Sequence, residues 1–144
     1  MVVTINPEAE EMMTAEEMEY LPTVAGAYMN RSFIYSQKGN LDAALKDLNK
    51  SLAIYPHASA YGNRGRLWVQ RGDLNAALAD FTKVIELRPG MAYDHLERAE
   101  VLMLMGKDEK AEKDFQQVLK LDPSMEATVT KRRAAIQKQK QEKP

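Results

Sequence analysis

The sequence predicts an all-α fold in which helical hairpins stack into a solenoid. Residues of three types recur at spacings of 33 and 34 positions in one phase, namely Pro56, Pro89 and Pro123, Gly39, Gly72 and Gly106, and Ala44, Ala77 and Ala111. Between these markers, apolar residues recur at the short intervals that are typical of one buried helix face. A period of this length is characteristic of repeat architectures. We therefore expect three copies of one structural unit.

Each predicted unit is a helical hairpin, and the three units span residues 25–57, 58–91 and 92–125. A glycine supplies the positive torsion that the turn between the two helices needs, and a proline ends the second helix because it cannot continue one. Small side chains let the two helices approach closely. They are Ser32, Gly65 and Ala99 on the first helices and the three recurring alanines on the second helices.

The middle unit carries the residues of a known repeat family. Its pattern is Tyr61, Gly65, Trp68, Gly72, Ala77, Phe81 and Pro89, and it recurs with substitutions in the flanking units. Over residues 25–125 the chain therefore resembles the tetratricopeptide repeat. The resemblance implies antiparallel hairpins in a right-handed superhelix, whose first helices line a concave groove that holds peptides or partner helices. Because one hairpin cannot bury its own apolar face, stacking supplies the core.

The first 24 residues are predicted to be an acidic N-terminal segment that forms one helix of its own. They contain six glutamates and no basic residue. Asn6 followed by Pro7 is typical of a helix start, and Pro22 is expected to end that helix. Two interpretations stay open, because the segment could be a helix surrounded by solvent or one that packs against another surface.

Residues 126–144 are predicted to form a basic capping helix with a tail that frays beyond Lys138. Val129 and Ile136 share one helix face, and we expect that face to cover the third repeat. The basic residues are expected to face water, and they are Lys131, Arg132, Arg133, Lys138 and Lys140. Binding of nucleic acid or acidic lipid by this run is the alternative, but no aromatic residue is interleaved with it.

The third repeat departs most from the pattern of the other two. Asp108 and Glu112 occupy positions that carry leucine in the first and second repeats. Because charged side chains add little to an apolar core, we expect thinner packing of this second helix and a more mobile edge of the array.

Arginine and aspartate recur in each unit with a separation of 16 residues. The arginine lies on the first helix and the aspartate on the second, so a salt bridge is expected inside each hairpin. A guanidinium can donate two hydrogen bonds to one carboxylate, and we interpret the pairs as structural rather than ligand-binding. They are Arg31 with Asp47, Arg64 with Asp80, and Arg98 with Asp114.

Composition excludes several classes of function. The chain has 144 residues, with 20 lysines and arginines against 21 aspartates and glutamates, which argues against a strongly basic nucleic-acid binder. It has no cysteine, so disulfides and thiolate metal sites are excluded. His57 and His95 are far apart, and no nucleophile with a neighbouring base and no phosphate-binding glycine loop is present. We therefore predict no enzyme, no metal and no cofactor.

The hydropathy pattern offers no membrane segment. The longest stretch without a charged residue or histidine, residues 20–30, has about half of the roughly 20 residues that a spanning helix needs. No basic leader precedes an apolar segment near the N-terminus. We expect a mature, cytoplasmic chain without membrane insertion.

The resemblance implies that the first helices line the concave groove. The residues expected there are Met29, Asn30, Phe33 and Gln37, then Gly62, Asn63, Arg66 and Gln70, then Tyr93, Leu96, Glu97 and Glu100, with Met103 and Leu104 near the rim. Asn30 and Asn63 share one repeat position, where asparagines of the family hold a peptide backbone. Arg66 opposite Glu97 and Glu100 would give the groove opposite charges along its length, which favours a basic ligand residue near the third repeat.

Co-chaperones of the family hold a C-terminal carboxylate on this face with Lys, Asn, Asn, Lys and Arg. The matching positions in this chain are Met29, Phe33, Asn63, Tyr93 and Glu97. Only the central asparagine is retained, and Glu97 would repel the carboxylate. The resemblance therefore argues against binding of heat-shock-protein tails.

The sequence as a whole predicts a non-enzymatic protein-interaction scaffold or adaptor that holds a peptide or partner helix in its groove. The alternative is a homo-oligomeric assembly module that uses the N-terminal segment or the capping helix. A third interpretation is an adaptor that meets nucleic acid through the basic C-terminus, which the overall net charge of -1 disfavours.

Overall fold

Three helical hairpins and a final single helix make up the part of the chain that the computed structural model describes, residues 14–143. The helices are α1 (Ala15–Gln37), α2 (Leu41–Ile54), α3 (Ala58–Arg71), α4 (Leu74–Leu87), α5 (Ala92–Leu104), α6 (Asp108–Leu121) and α7 (Glu126–Glu142), with a 3-10 turn at Pro123–Met125. No strand occurs within residues 14–143. The predicted all-α solenoid of helical hairpins is confirmed.

Each hairpin packs on the next one in chain order. Helices α1 and α2, α3 and α4, and α5 and α6 form the three hairpins, while contacts between α2 and α3 and between α4 and α5 join them. Helix α7 packs against α5. The final helix thus contacts the first helix of the third hairpin, whereas the second and third hairpins each contact the second helix of the hairpin before them.

The core fills the space inside each hairpin and between neighbouring hairpins. Leu48 and Leu67 belong to one buried cluster, and Phe81 and Val101 belong to another. Each of these clusters joins a second helix to the first helix of the next repeat. A further cluster joins α5, α6 and α7. Stacking therefore supplies the apolar burial that one hairpin could not achieve alone.

Glycines and polar caps fix the geometry of the hairpins. Gly72 follows α3 with a φ of 89°, a left-handed conformation that glycine adopts at least cost. Gly65 permits close helix contact, because an added Cβ would lie 3.0 Å from the Phe81 ring. His57 begins α3, and its Nδ1 accepts a hydrogen bond from the backbone N–H of Ala60. This histidine is thus a helix cap.

The predicted helix end at Pro22 is wrong. Helix α1 is a single helix of 23 residues that runs through Pro22 into the first repeat. It begins at a capping box, in which the Glu17 N–H donates to the Thr14 hydroxyl and the Thr14 N–H donates to the Glu17 carboxylate. Proline has a helix-compatible φ, and here it removes one hydrogen bond from an exposed stretch. The helix start expected at Asn6 lies outside the described residues.

Helix α7 covers the third repeat but differs from the prediction at its end and on its basic side. Val129 and Ile136 are buried in the cluster shared with α5 and α6. The expected fraying beyond Lys138 is wrong, because the helix continues to Glu142. Lys131 and Lys138 are exposed, whereas the other three basic residues contact the third repeat instead of only water. They are Arg132, Arg133 and Lys140.

The acidic residues that replace leucine in the third repeat are ion-pair partners of α7. Arg133 Nη2 lies 2.9 Å from a Glu112 carboxylate oxygen, and Lys140 Nζ lies 3.8 Å from an Asp108 carboxylate oxygen. Charge pairs with α7 therefore occupy the surface where the sequence led us to expect thin packing. The departure from the repeat pattern reflects the helix that follows.

Candidate binding groove

The three Arg–Asp pairs hold the first helix of each hairpin in register with the second. In every pair the guanidinium donates two hydrogen bonds of 2.7–2.8 Å to the two oxygens of one buried carboxylate, and the pairs are Arg31–Asp47, Arg64–Asp80 and Arg98–Asp114. The hydrogen bond to the carboxylate is the main cause of a raised pKa in all three arginines. This repeated anchor fixes where the other faces of the first helices point.

One half of the groove is open to solvent. We call it the open half and define it by four exposed residues of α1 and α3, which are Asn30, Phe33, Gln37 and Gln70. Phe33 is 63% exposed, more than any other large apolar side chain in residues 14–143. Met29, by contrast, packs partly against the core of the first hairpin. The open half thus combines an accessible aromatic ring with side-chain amides.

A polar chain crosses the middle of the groove between α3 and α5. Arg66 Nη1 donates to the Glu97 carboxylate at 2.6 Å, and Arg66 Nη2 donates to the amide oxygen of Asn63. Glu97 is only 6% exposed. Burial raises the pKa of Glu97, and the hydrogen bond from Arg66 opposes that rise. The expectation that Arg66 and Glu97 present separate charges to a ligand is therefore wrong, because they neutralise each other.

The other half of the groove is closed by α7 into a pocket of about 350 Å³. Arg132 lies on its wall, where Nη2 donates to the Tyr93 hydroxyl at 3.0 Å and Nη1 lies 3.3 Å from the Glu100 carboxylate. Burial is also the main cause of a raised pKa at Glu100. We call this part the closed half, and its carboxylates are paired with arginines rather than directed at open solvent.

Sequence reasoning missed the contribution of α7 to this pocket and misplaced three residues of the first helices. Residues of α7 form one wall, and they are Arg132, Ala135, Ile136 and Gln139. The sequence signal that could have identified them is the spacing of the apolar residues in 126–144, which resembles the spacing in the first helix of a repeat. Gly62, Leu96 and Met103 are buried and lie beneath the groove surface, whereas Leu104 does line the pocket.

A buried histidine of the third hairpin contacts the loop before that hairpin and the second helix of the hairpin. His95 is buried, its Nε2 donates to the Pro89 carbonyl at 2.9 Å, and its Nδ1 lies 3.7 Å from Asp114. Within residues 14–143, no three side chains of His, Asp or Glu are grouped so that they could hold a metal ion. None of the described helices is both long enough and apolar enough to span a bilayer.

Stacked hairpins with an accessible face along their first helices define a helical-repeat protein. Tetratricopeptide repeat profiles match the chain at three consecutive stretches, residues 25–58, 58–91 and 92–125. These matches cover more than half of the chain, so it belongs to the tetratricopeptide repeat family. No curated protein sequence matches the chain significantly.

Several solved structures share this fold at low sequence identity. The first TPR domain of Spaghetti (RPAP3), bound to the HSP90 peptide SRMEEVD, is 20% identical with a TM-score of 0.73, over 81% of this chain and 93% of that chain. The crystal structure of MamA is 21% identical with a TM-score of 0.67, over 76% of this chain and 68% of that chain. The Arabidopsis OM64 TPR domain is 16% identical with a TM-score of 0.72, over 83% of this chain and 98% of that chain. At these identities the likeness shows the fold alone.

Proposed function

We propose that this chain is a non-enzymatic protein-interaction scaffold that binds an extended peptide or a partner helix in the open half of its groove. The observation that carries the proposal is Phe33, which is 63% exposed on a well-packed helix. An accessible aromatic ring beside polar groups gives a ligand an apolar anchor together with hydrogen-bond partners. The family fold supports a role in protein interaction rather than in catalysis.

The chemistry of the open half suits a main chain as well as side chains. Asn63 uses its amide oxygen to accept from Arg66, so its NH2 group can still donate to a ligand carbonyl. Asn30 occupies the equivalent position of the first repeat and is exposed. An extended segment has unpaired backbone groups at regular intervals, and two amides one repeat apart can satisfy them while Phe33 contacts an apolar side chain.

The same groove disfavours a ligand that depends on a free C-terminal carboxylate. The first TPR domain of Spaghetti (RPAP3) was solved with the HSP90 peptide SRMEEVD. In this chain the carboxylate of Glu97 lies at one of the matching positions, and Arg66 is already paired with it. A ligand carboxylate placed there would lie next to a buried negative charge. We therefore expect an internal segment of the partner, rather than its C-terminus, to be bound.

A displayed library of random peptides tests the proposal. Peptides selected on the full chain should bind Phe33→Ala about tenfold or more weakly, because the aromatic contact is lost. Leu87→Ala is the matched control, since Leu87 is 48% exposed but lies at the end of a second helix. Titration calorimetry with the selected peptides and with SRMEEVD measures both effects, and SRMEEVD should show no measurable binding.

Two outcomes would contradict this function. Selected peptides that bind Phe33→Ala as well as they bind the parent chain would move the binding surface away from the open half. Tight binding of SRMEEVD would instead show that the paired Glu97 does not exclude a ligand carboxylate. The chain would then resemble the family members that bind heat-shock-protein tails.

A further inference from the structure

One side of α1, next to its contact with α2, carries an exposed stripe. Its residues are separated by three, four or seven positions, so they share one helix face. We call this stripe the outer face and define it as Glu16, Tyr20, Val24, Ala27, Arg31, Ile34 and Lys38, all of which are exposed. The guanidinium of Arg31 is held by Asp47 of α2. Tyr20, Val24 and Ile34 are 60%, 43% and 53% exposed. The first helix thus presents an apolar surface that is separate from the groove.

Ile34 occupies a repeat position that is buried in the other two repeats. The equivalent residues are Leu67, which is 6% exposed, and Val101, which is 2% exposed. Each of these residues belongs to a cluster with the second helix of the preceding hairpin. No hairpin precedes α1 among the described residues. Within residues 14–143, no helix makes with the outer face the contact that Leu67 and Val101 make with a preceding helix.

We propose that the outer face binds the outer face of a second copy of this chain, with the two α1 helices antiparallel and a twofold axis at Ala27. Two pairs of outer-face residues are symmetric about Ala27. Tyr20 and Ile34 each lie 7 positions from Ala27, and Glu16 and Lys38 each lie 11 positions from it. A face with this arrangement is complementary to itself, which is the requirement for a twofold interface.

The antiparallel arrangement brings unlike ends together. Glu16 of each copy meets Lys38 of the other, and Tyr20 of each copy meets Ile34 of the other. A parallel arrangement would place Glu16 against Glu16, which the charges oppose. The small side chain of Ala27 at the centre lets the helix axes approach to roughly 8 Å.

The closed end of another copy is a poorer partner for the outer face. No large apolar side chain of α7 is exposed within the described part of that helix. Packing the outer face on it would bury Tyr20 and Ile34 against polar groups. The dimer also goes beyond groove binding, because Phe33 is turned by about 100° around the helix from Ile34 and stays accessible.

The absence of cysteine makes a disulfide test possible. In the full chain, Ala27→Cys should form a disulfide-linked dimer under mild oxidation, because the two residues meet at the twofold axis. Thr23→Cys is the matched control, since Thr23 is exposed on the same side of α1. In the proposed dimer two such cysteines are offset by about 12 Å along the axis, beyond the roughly 7 Å limit for a disulfide. Non-reducing electrophoresis reads the result.

Charge reversal provides the second test. Sedimentation equilibrium should show a dimer for the parent chain, and Glu16→Lys or Lys38→Glu alone should weaken dimerisation by at least about tenfold, since each change occurs twice in the interface. Combining the two substitutions should restore the dimer. Circular dichroism verifies that all variants fold.

Several results would overturn the proposal. One is a parent chain that sediments as a monomer at every concentration at which it is soluble, as expected if its own first 13 residues covered the outer face. Another is equal cross-linking of the two cysteine variants, which would indicate random collision. A double charge variant that remains as weak as the single variants would exclude the antiparallel pairing.

Discussion

The two ends of the repeat array are built differently. At the C-terminal end, α7 covers the last hairpin, and its Val129 and Ile136 are only 4% and 7% exposed. At the N-terminal end, Ile34 of α1 is 53% exposed, although the equivalent residues of the other repeats, Leu67 and Val101, are buried. A repeat needs a neighbour on each side to bury its apolar faces. Among residues 14–143, one end of the array is closed by α7 and the other end is accessible.

The residues that depart from the repeat pattern reflect this difference. Asp108 and Glu112 replace leucine in the third repeat and form ion pairs with α7. The first repeat makes no such replacement, since Ile34 keeps the apolar character of Leu67 and Val101. Half-exposed ion pairs add little stability. We interpret these pairs as contacts that position α7 on the third repeat. The closed end thus combines apolar burial with a charged rim, whereas the apolar residues of the outer face stay exposed between Glu16 and Lys38.

Removing residues 126–144 should have the largest effect, because it turns the closed end into a second open end. Val129 and Ile136 contribute about 3 to 6 kcal/mol together through apolar burial. Phe115 and Val118 of the same cluster would become accessible. We expect a much lower melting temperature and aggregation through the new apolar face. Circular dichroism on heating and light scattering measure the two effects.

The control for this deletion is a shorter chain that ends at Lys140. It loses residues 141–144, which include the charged Glu142 and Lys143, but none of the buried side chains of α7. Its melting temperature should therefore stay close to that of the parent. A chain without residues 126–144 that melts and remains soluble like the parent would show that α7 does not act as a cap.

The hairpins and their Arg–Asp pairs were predictable from the sequence because they recur at a fixed spacing. Each copy of the pattern supports the others, so a substitution in one repeat does not hide the helix. The end of the predicted N-terminal helix at Pro22 was a local inference with no such support. Whether a helix continues past a proline depends on how the helix begins and on what it packs against. Here the helix begins at the Thr14–Glu17 capping box and packs in the first hairpin.

Two single substitutions compare the stability contributed at the two ends of the array without removing a helix. Ile136→Ala leaves a cavity at the closed end and should lower the free energy of unfolding by about 2 to 5 kcal/mol. Ile34→Ala removes the same atoms from an exposed position and should change it by less than about 0.5 kcal/mol. Urea unfolding of dilute protein, below the concentration at which it dimerises, measures both. Equal losses would mean that α1 is already covered within the monomer.

The groove was harder to predict than the fold because its decisive contacts do not repeat. Arg66 and Glu97 belong to different helices and are 31 positions apart, and no other repeat has a matching pair. The contact between Arg132 and Glu100 involves α7, which lies outside the three repeats. Periodicity identifies which helices face the groove, but the pairing of charges across it depends on side chains that occur once.

The two halves of the groove should also differ in their response to pH. The closed half contains Glu97 and Glu100, whose pKa values are raised above the usual 4.5, in both cases mainly by burial. The groove-facing residues that define the open half carry no carboxylate. A carboxyl group with a raised pKa binds its proton in the folded state before the unfolded chain does so. Protonation of the closed half therefore favours the folded state as the pH falls toward 4.5.

The variant Glu97→Gln combined with Glu100→Gln should remove this contribution, since glutamine is uncharged at every pH. From neutral pH down to about 5, the parent should gain more stability, or lose less, than the double variant, and the difference should be smaller than the loss in Ile136→Ala. Glu86→Gln is the control, because Glu86 is exposed and lies on a second helix outside the groove. Melting temperatures across this range give the comparison. A double variant whose profile runs parallel to that of the parent would mean that water reaches both carboxylates, and the closed half would then be as open as its neighbour.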